Sequence, residues 1–315
     1  MLSPLWCRAA VTDAAAFEHQ PVLHAEIAAL VPGVARMVDA TLGGGGHAAL
    51  FRGAGATVLG IDRDPRALAA ARRRLGADGV TYLEAPYASD RALAAIQEFR
   101  PDFLLLDLGV SSPQLDDEAR GFTFRAGAPL DMRMGDDGAT AADLLNEASE
   151  GELRTVFADF GDERQAGRLA REIVRRRGNE PFATSDHLVN AIRAVLGPRS
   201  GPPDFARLFQ AVRIAVNDEL TGLAEALPAM RDALTPGGRI AVISYHSGED
   251  RIVKHSFQDW ARSCICPPEQ PLCTCRGRPL GRLEPRKPVY PTADEQAANP
   301  RSRSATLRIF RTAEV

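Results

Sequence analysis

The stretch Asp39-Ala-Thr-Leu-Gly-Gly-Gly-Gly-His47 separates an apolar run at residues 34–40 from a helical stretch at residues 48–53. Four consecutive glycines in this position predict a tight turn that ends a strand and opens a helix. Turns of this kind occur at the first crossover of an α/β sheet, where the backbone must let a ligand approach closely. The stretch therefore predicts an α/β fold, with a candidate binding site at the end of its first strand.

Apolar runs and helical segments continue to alternate beyond this turn. Runs rich in Val, Ile and Leu predict strands at residues 34–40, 57–61, 80–83, 103–108, 239–244 and 306–311. Strands of near-continuous hydrophobicity are typical of a parallel sheet covered by helices on both faces, and crossovers in such sheets are right-handed. The predicted fold is a doubly wound, mostly parallel, Rossmann-like sheet.

The alternation is interrupted after Pro113 by about a hundred residues of helical periodicity without a convincing strand. The sheet pattern then resumes near residue 239. We therefore predict an inserted helical domain at residues 115–215. The sheet domain is predicted to consist of residues 17–114 and 216–315, on either side of this insertion.

The composition limits the class of protein. The chain has 315 residues, 45% hydrophobic and 25% charged, with a formal net charge of −3, which is ordinary for a globular protein. It has no run of about 18 apolar residues and no pattern of a secretory signal. Four of its five cysteines lie within residues 264–275, unlike those of a secreted disulfide scaffold. We therefore expect a cytoplasmic protein without a membrane segment, and we predict that residues 1–16 are a disordered extension.

The glycine turn fits two classes of ligand. Gly43-x-Gly45-x-x-Ala48 matches the loose dinucleotide fingerprint, with Asp62 nineteen residues further on at the end of the second predicted strand. Asp39 distinguishes the classes, because a carboxylate at the mouth of the turn repels a pyrophosphate and attracts an ammonium group. S-adenosylmethionine carries an ammonium and a sulfonium and no phosphate, and its ribose offers hydroxyls to Asp62. The pattern favours this methyl donor over a nicotinamide dinucleotide, and thus a methyltransferase over an oxidoreductase.

Eight motifs, spread from about residue 18 to residue 311, resemble one protein family. They are Thr41-Leu-Gly-Gly-Gly-Gly-His47, Asp107-Leu-Gly-Val-Ser-Ser-Pro-Gln-Leu-Asp116, Gly121-Phe-Thr-Phe-Arg125, Pro129-Leu-Asp-Met-Arg133, Phe209-Gln-Ala-Val-Arg-Ile-Ala-Val-Asn217, Ser244-Tyr-His-Ser247, Glu249-Asp-Arg-Ile-Val-Lys254 and Asn299-Pro-Arg-Ser-Arg-Ser304. Together they resemble the MraW family of bacterial ribosomal RNA small subunit methyltransferases. The resemblance implies a class I Rossmann-like methyltransferase with an inserted helical domain.

The resemblance also implies a reaction and a set of site residues. The implied reaction transfers a methyl group from S-adenosylmethionine to the exocyclic N4 of one cytidine in the decoding region of 16S rRNA, within the small ribosomal subunit. By position, the family's cofactor contacts fall on Gly45, Gly46, His47, Asp62, Tyr87, Asp107 and Gln114. Two positions depart from the family pattern: Tyr87, where relatives often have Phe, and Gly248, where they commonly have Leu. The oligomeric state, monomer or homodimer, is left open.

Asp107 is the predicted catalytic residue. It follows three leucines at the end of a predicted strand, where an α/β sheet presents its ligand crevice. Methyl transfer to an amino group needs an oxygen that holds its N–H and takes up developing positive charge. The sequence leaves open whether Asp107 acts on the amino group or only anchors the cofactor. His246, just after another predicted strand, is the second candidate, as a base, a base-orienting group or a structural histidine.

Clustered basic residues predict an RNA-binding surface. Residues 276–311 contain nine basic side chains against three acidic ones, within a chain that is acidic overall. A second cluster in the predicted insertion consists of Arg171, Arg175, Arg176 and Arg177. These clusters also suit a non-catalytic RNA-binding assembly factor, which is the alternative from a different class.

The cysteines form two Cys-x-Cys pairs, Cys264-x-Cys266 and Cys273-x-Cys275. Four thiolates suit a structural zinc ion, although the usual Cys-x2-Cys spacing is absent. Unligated thiols and a disulfide remain as alternatives, and no catalytic metal is predicted. The surrounding segment, residues 267–300, is rich in Pro and Arg and is predicted to be irregular.

Overall fold

Seven strands form one sheet in the computed structural model, which describes residues 21–109, 117–267, 270, 272 and 274–314. The strands are β1 (Arg36–Asp39), β2 (Thr57–Asp62), β3 (Val80–Glu84), β4 (Phe103–Asp107), β5 (Arg239–Ser244), β6 (Gly281–Leu283) and β7 (Thr306–Thr312). Their order across the sheet is β3-β2-β1-β4-β5-β7-β6. Strands β1 to β5 pair in parallel, whereas β7 runs antiparallel between β5 and β6. This order confirms the predicted doubly wound, mostly parallel α/β fold.

Helices follow most of the strands. They are α1 (His24–Ala28), α2 (Gly46–Gly53), α3 (Pro65–Leu75), α4 (Asp90–Phe99), α5 (Ala141–Glu147), α6 (Glu150–Thr155), α7 (Ala166–Arg177), α8 (Ser185–Leu196), α9 (Pro202–Asn217), α10 (Glu219–Ala233), α11 (Ser247–Ala261) and α12 (Ala293–Ala298). The start of α3 follows from its sequence, because the Asp64 carboxylate caps the Arg66 amide and Pro65 takes the first helical position. No helix in the described ranges is long and apolar enough to cross a membrane.

The sheet carries a hydrophobic core on each face. Alternate residues of β4 point to opposite faces, so that Leu104 and Leu106 belong to one cluster and Phe103 and Leu105 to the other. The first cluster is covered by α4, α10 and α11, and the second by α1, α2 and α3. All four of these side chains are fully buried, which explains why β4 reads as a continuous apolar run.

A third hydrophobic core lies outside the sheet. It is formed by side chains of α5 to α9 and of the segment before α5, from Leu130 to Val212 in the sequence. These elements stand between β4 and β5, where the sheet pattern is interrupted. The boundaries at residues 115 and 215 stay predictions, because residues 110–116 fall outside the described ranges.

The prediction of an irregular segment at residues 267–300 was wrong in part. The segment contains β6, a three-residue edge strand that pairs only with β7, and the short helix α12, capped by Thr292. Neither β6 nor α12 has a buried residue, so neither element shows a clear hydrophobic pattern in the sequence. The predicted extension at residues 1–16 falls outside the described residues.

Candidate active site

A cavity of about 480 Å³ opens at the carboxyl ends of β1, β2, β4 and β5. The strand order reverses between β1 and β4, which is the point where open α/β sheets bind ligands. The volume lies within the range of small-molecule sites. Residues from the glycine turn line one side of the cavity, and residues from α9 and α10 line the other.

Three carboxylates from neighbouring strands meet at this cavity. Asp39 ends β1 and pairs in register with Gly60 of β2 and Leu105 of β4, so that Asp62 and Asp107 lie two residues further along those strands. Burial raises the pKa of Asp39 to about 8, with the negative charges of Asp107 and Asp62 adding to the shift. Burial also raises the pKa of Asp62 and of Asp107 to about 6. A cationic ligand would favour the ionised forms of these carboxyl groups, which burial disfavours.

Asp62 also holds the glycine turn in place. One of its carboxylate oxygens accepts a hydrogen bond from the Gly43 amide at 2.7 Å, and the other accepts one from the Asp64 amide at 2.8 Å. Gly43 has φ +52°, a left-handed conformation that glycine adopts without strain. The sequence predicted a ligand-binding role for Asp62 and missed this structural one.

Three of the predicted cofactor contacts lie at the start of α2: Gly45, Gly46 and His47. Their surroundings differ. Gly46 and His47 line the cavity, whereas Gly45 is the N-cap and faces Leu75 of α3, with no part in the lining. His47 is 5% exposed, and its Nε2 lies 3.8 Å from Asp107 Oδ2. Because burial lowers the pKa of His47 to about 3, this ring is neutral at physiological pH and the pair is not an ion pair.

Asp107 is oriented by groups from two other strand ends. The Tyr245 hydroxyl donates to Asp107 Oδ1 at 2.9 Å, and the Asp107 amide donates to the Thr41 hydroxyl at 2.6 Å. A Cβ on Gly109 would lie 2.7 Å from the Tyr245 ring, so a glycine is needed for the ring to reach the carboxylate. The remaining oxygen, Oδ2, lies on the side of His47. The Gly109 amide also donates a hydrogen bond to this carboxylate, and the Asp107 side chain is 24% exposed at the cavity.

Tyr245 is a site residue that the analysis of strand ends did not single out. Asp107 pairs with Ile243 in the β4–β5 register, which places Tyr245 two residues beyond the end of that pairing. The available signal was its position directly after β5, next to the predicted His246.

His246 is the N-cap of α11. Its Nδ1 accepts from the Glu249 amide at 3.4 Å, and Glu249 Oε2 accepts in return from the amides of Tyr245 and His246 at 2.8 and 3.3 Å. This reciprocal arrangement is a capping box. His246 lines the cavity with Nε2 3.1 Å from Glu249 Oε1. Its Nδ1 serves the cap, whereas its Nε2 is buried at the edge of the site without a hydrogen-bond partner among the described residues.

The far wall of the cavity comes from the α9–α10 junction. Arg213 makes two hydrogen bonds to the Glu219 carboxylate, at 3.0 and 2.9 Å, with side chains only 15% and 9% exposed. Asn217 bonds the Met132 carbonyl and the Met134 amide, which ties the end of α9 to the segment before α5. A single left-handed residue, Asp218 at φ +49°, separates α9 from α10.

Tyr87 lies on the same side of the cavity as this junction. It is half-buried, and its hydroxyl approaches the Glu219 carbonyl at 3.5 Å. Burial raises the pKa of its phenol, so that it stays protonated. The last predicted contact, Gln114, falls outside the described residues.

The basic segment at residues 276–311 is partly neutralised within the protein. Arg308 makes two hydrogen bonds to Asp250, at 2.7 and 3.0 Å, and Arg282 makes one to Glu284 at 3.0 Å. Arg311 bonds Glu314 at 2.6 Å. The number of basic residues therefore overstates the charge that this segment offers to phosphates.

The second basic cluster, on α7, is largely used inside the insertion. Arg175 and Arg176 both bond Glu172, at distances of 2.7–2.9 Å. Arg177 donates to two backbone carbonyls, those of Leu145 and Ala148. These contacts favour a structural role for most of this cluster.

Comparison with known proteins gives consistent results. The model of the MraW methylase family matches residues 16–313. The ribosomal RNA small subunit methyltransferase H of Gemmatimonas aurantiaca is 59% identical, over 94% of this chain and 95% of its own. That of Heliobacterium modesticaldum is 48% identical, over 93% of this chain and 97% of its own. Among solved structures, an rRNA methylase from Streptococcus thermophilus aligns over 92% of this chain and 93% of its own, with 11% identity and a TM-score of 0.39.

Proposed function

The chain belongs to the MraW methylase family, and we propose that it methylates the exocyclic N4 of one cytidine in the decoding region of 16S rRNA. The substrate is the RNA within the small ribosomal subunit, in the cytoplasm, and S-adenosylmethionine is the methyl donor. The observation that carries the proposal is the meeting of Asp39, Asp62 and Asp107 at one cavity, at the switch point of the sheet.

The residues of the cavity fit this donor. Burial raises the pKa of all three carboxyl groups, and a cationic ligand would favour their ionised forms, whereas a pyrophosphate would disfavour them. This argues for the cationic donor and against a dinucleotide. Asp39 would hold the ammonium group, Asp62 the ribose hydroxyls and Tyr87 the adenine face. Gly46 and His47 would contact the donor from the glycine turn. When bound, the donor supplies a methyl group on a positively charged sulfur.

Asp107 is the group that we assign to the amino nucleophile. The Tyr245 hydroxyl and the Gly109 amide hold the Asp107 carboxylate in place. Each carboxylate oxygen has two lone pairs, so Asp107 can still accept an N–H of the cytosine amino group and draw its nitrogen toward tetrahedral geometry. Because its pKa is about 6, Asp107 is about 90% ionised at pH 7 and still basic enough to take the proton that the nitrogen releases. The neutral His47 beside it removes no negative charge from the carboxylate.

The inserted helical domain, residues 115–215, is the proposed RNA-recognition part of the enzyme. Its last helix, α9, supplies Gln210 and Arg213 to the cavity lining, so the insertion shares a wall with the donor site. This arrangement supports a substrate that contacts the insertion and the sheet domain together.

Nucleoside mapping of 16S rRNA tests the proposal. Small-subunit RNA from cells with and without the gene is digested, and methylated cytidines are located by mass spectrometry. The expected difference is one N4-methylated cytidine in the decoding region, regained when purified protein and donor are added to undermethylated subunits. Methylation at a carbon or at a sugar oxygen would contradict the role of Asp107. RNA binding without any methyl incorporation would favour the assembly-factor alternative.

A further inference from the structure

The described residues of the segment between residues 262 and 280 bury little apolar surface. It joins the end of α11 to the edge strand β6, and none of its described residues is buried. Two large apolar side chains, Ile265 and Leu272, are 51% and 77% exposed. A segment that buries so little apolar surface generally needs a cross-link or a metal to fix its structure.

Three cysteine sulfurs nevertheless meet in this segment. The Sγ atoms of Cys264, Cys266 and Cys275 all lie within 4.8 Å of one another, and those of Cys264 and Cys275 are 3.8 Å apart. Sulfurs bound at about 2.3 Å to one tetrahedral ion are separated by about 3.8 Å. A disulfide requires about 2.05 Å. The spacing therefore matches thiolates that share one metal ion.

The backbone around the three sulfurs is arranged to stabilise negative charge. The Ile265 amide donates to Cys275 Sγ at 3.3 Å, and hydrogen bonds of this kind favour a thiolate over a thiol. Arg276, next to Cys275, donates to the carbonyls of Asp259 and Arg262 at the end of α11. This arginine fixes the segment next to Cys275 to the end of the helix.

We propose that Cys264, Cys266 and Cys275 bind one structural zinc ion. Zinc prefers tetrahedral thiolate sites, and these cysteines supply three of its four positions. Cys273 falls outside the described residues and is not assigned. None of the three cysteines lines the cavity, so the ion is structural. It would fix the connection between α11 and β6, and the N-cap of α11 is His246, which lies at the cavity. This proposal does not rest on the proposed function.

Metal analysis of the purified full-length protein is the first test. The protein is prepared without chelators and dialysed, and its zinc is measured by plasma mass spectrometry. About one zinc per chain is expected, and each of Cys264→Ser and Cys275→Ser should lower this at least about fivefold. The matched control Cys7→Ser should keep the ion. Wild-type protein without zinc, even after zinc is offered under reducing conditions, would overturn the proposal, as would serine variants that retain it.

Two further measurements remain decisive if a variant folds poorly. Trypsin cleavage after Arg262 and Arg276 in the wild-type protein should become at least about tenfold faster on chelation and return to its original rate when zinc is restored. Alkylation under denaturing, non-reducing conditions with chelator should label all three thiols. A cleavage rate that does not change with chelator would refute the zinc site. So would thiols that resist alkylation because they form a disulfide.

Discussion

Replacing Tyr245 by phenylalanine removes one hydroxyl and the hydrogen bond that it donates to Asp107 at 2.9 Å. That bond stabilises the ionised carboxylate and holds its pKa down against the effect of burial. A hydrogen bond to a charged group contributes about 1.5–3 kcal/mol, and one pKa unit corresponds to about 1.4 kcal/mol. The pKa of Asp107 in Tyr245→Phe should therefore rise by at least about one unit, from about 6 to about 7.

This rise predicts a rate loss that depends on pH. Asp107 acts as a carboxylate, so the rate falls as pH drops through its pKa. At pH 7 the ionised fraction of Asp107 is about 90% in the wild type and about 50% in the variant, so the rate should fall about twofold. At pH 6 the fractions are about 50% and about 10%, so the rate should fall about fivefold. Above pH 8 the two enzymes should converge. The acid limb of the profile moves up by about one unit while the plateau is kept.

The assay measures initial rates of methyl incorporation from labelled donor into undermethylated small subunits, between pH 6 and pH 9. Tyr82→Phe is the matched control, because it also removes a hydroxyl that donates a hydrogen bond, here to the Gly76 carbonyl, and Tyr82 is not among the residues that line the cavity. Donor affinity of each variant is followed by calorimetry. An unchanged profile would refute the link between Tyr245 and the Asp107 pKa. A loss of the same size at every pH would mean that Tyr245 only shapes the cavity.

Three other changes have defined outcomes. Wild-type Asp39, with a pKa of about 8, must release a proton to bind a cation, so donor affinity should rise with pH. Asp39→Asn should weaken donor binding by about ten- to a hundredfold and abolish this rise, which calorimetry between pH 6 and 8 checks. The free protein holds that proton more tightly than the unfolded chain, whose pKa is near 3.8, so its unfolding free energy falls as pH rises toward 8, and the same variant should flatten a plot of melting temperature against pH. Gly46→Ala places a Cβ 2.4 Å from a proline ring and should cost about 1–3 kcal/mol in urea unfolding, whereas Gly53→Ala, with open space around it, should cost nothing. Arg213→Ala leaves Glu219 unpaired and should lower stability by about 3 kcal/mol, most of it recovered when Glu219 is also changed to Leu.

Local signals predicted the sheet well. The strand Arg239–Ser244 has the predicted bounds, because a bounded apolar run is encoded within a few residues. The meeting of Asp39, Asp62 and Asp107 was also predictable, since each follows an apolar strand and parallel strands end at one edge.

The remaining features depend on contacts between distant parts of the chain. Tyr245 and Asp107 are 138 residues apart, and their hydrogen bond follows from the β4–β5 register, which no local pattern specifies. The sequence pattern of the α7 arginines predicts a phosphate-binding cluster. In the structure, two of them, Arg175 and Arg176, form salt bridges with Glu172. The strand β6 depends on pairing with β7 and carries no hydrophobic pattern of its own.

Only one residue, Asp218, separates α9 from α10, so the two helices are closely coupled. A helix of 16 residues is about 24 Å long, and here its far end belongs to the insertion while its near end is anchored beside the pocket through Asn217 and the Arg213–Glu219 pair. With so short a joint there is little slack to absorb a tilt. A tilt of α9 relative to α10 would therefore displace the Arg213–Glu219 pair in the wall of the pocket.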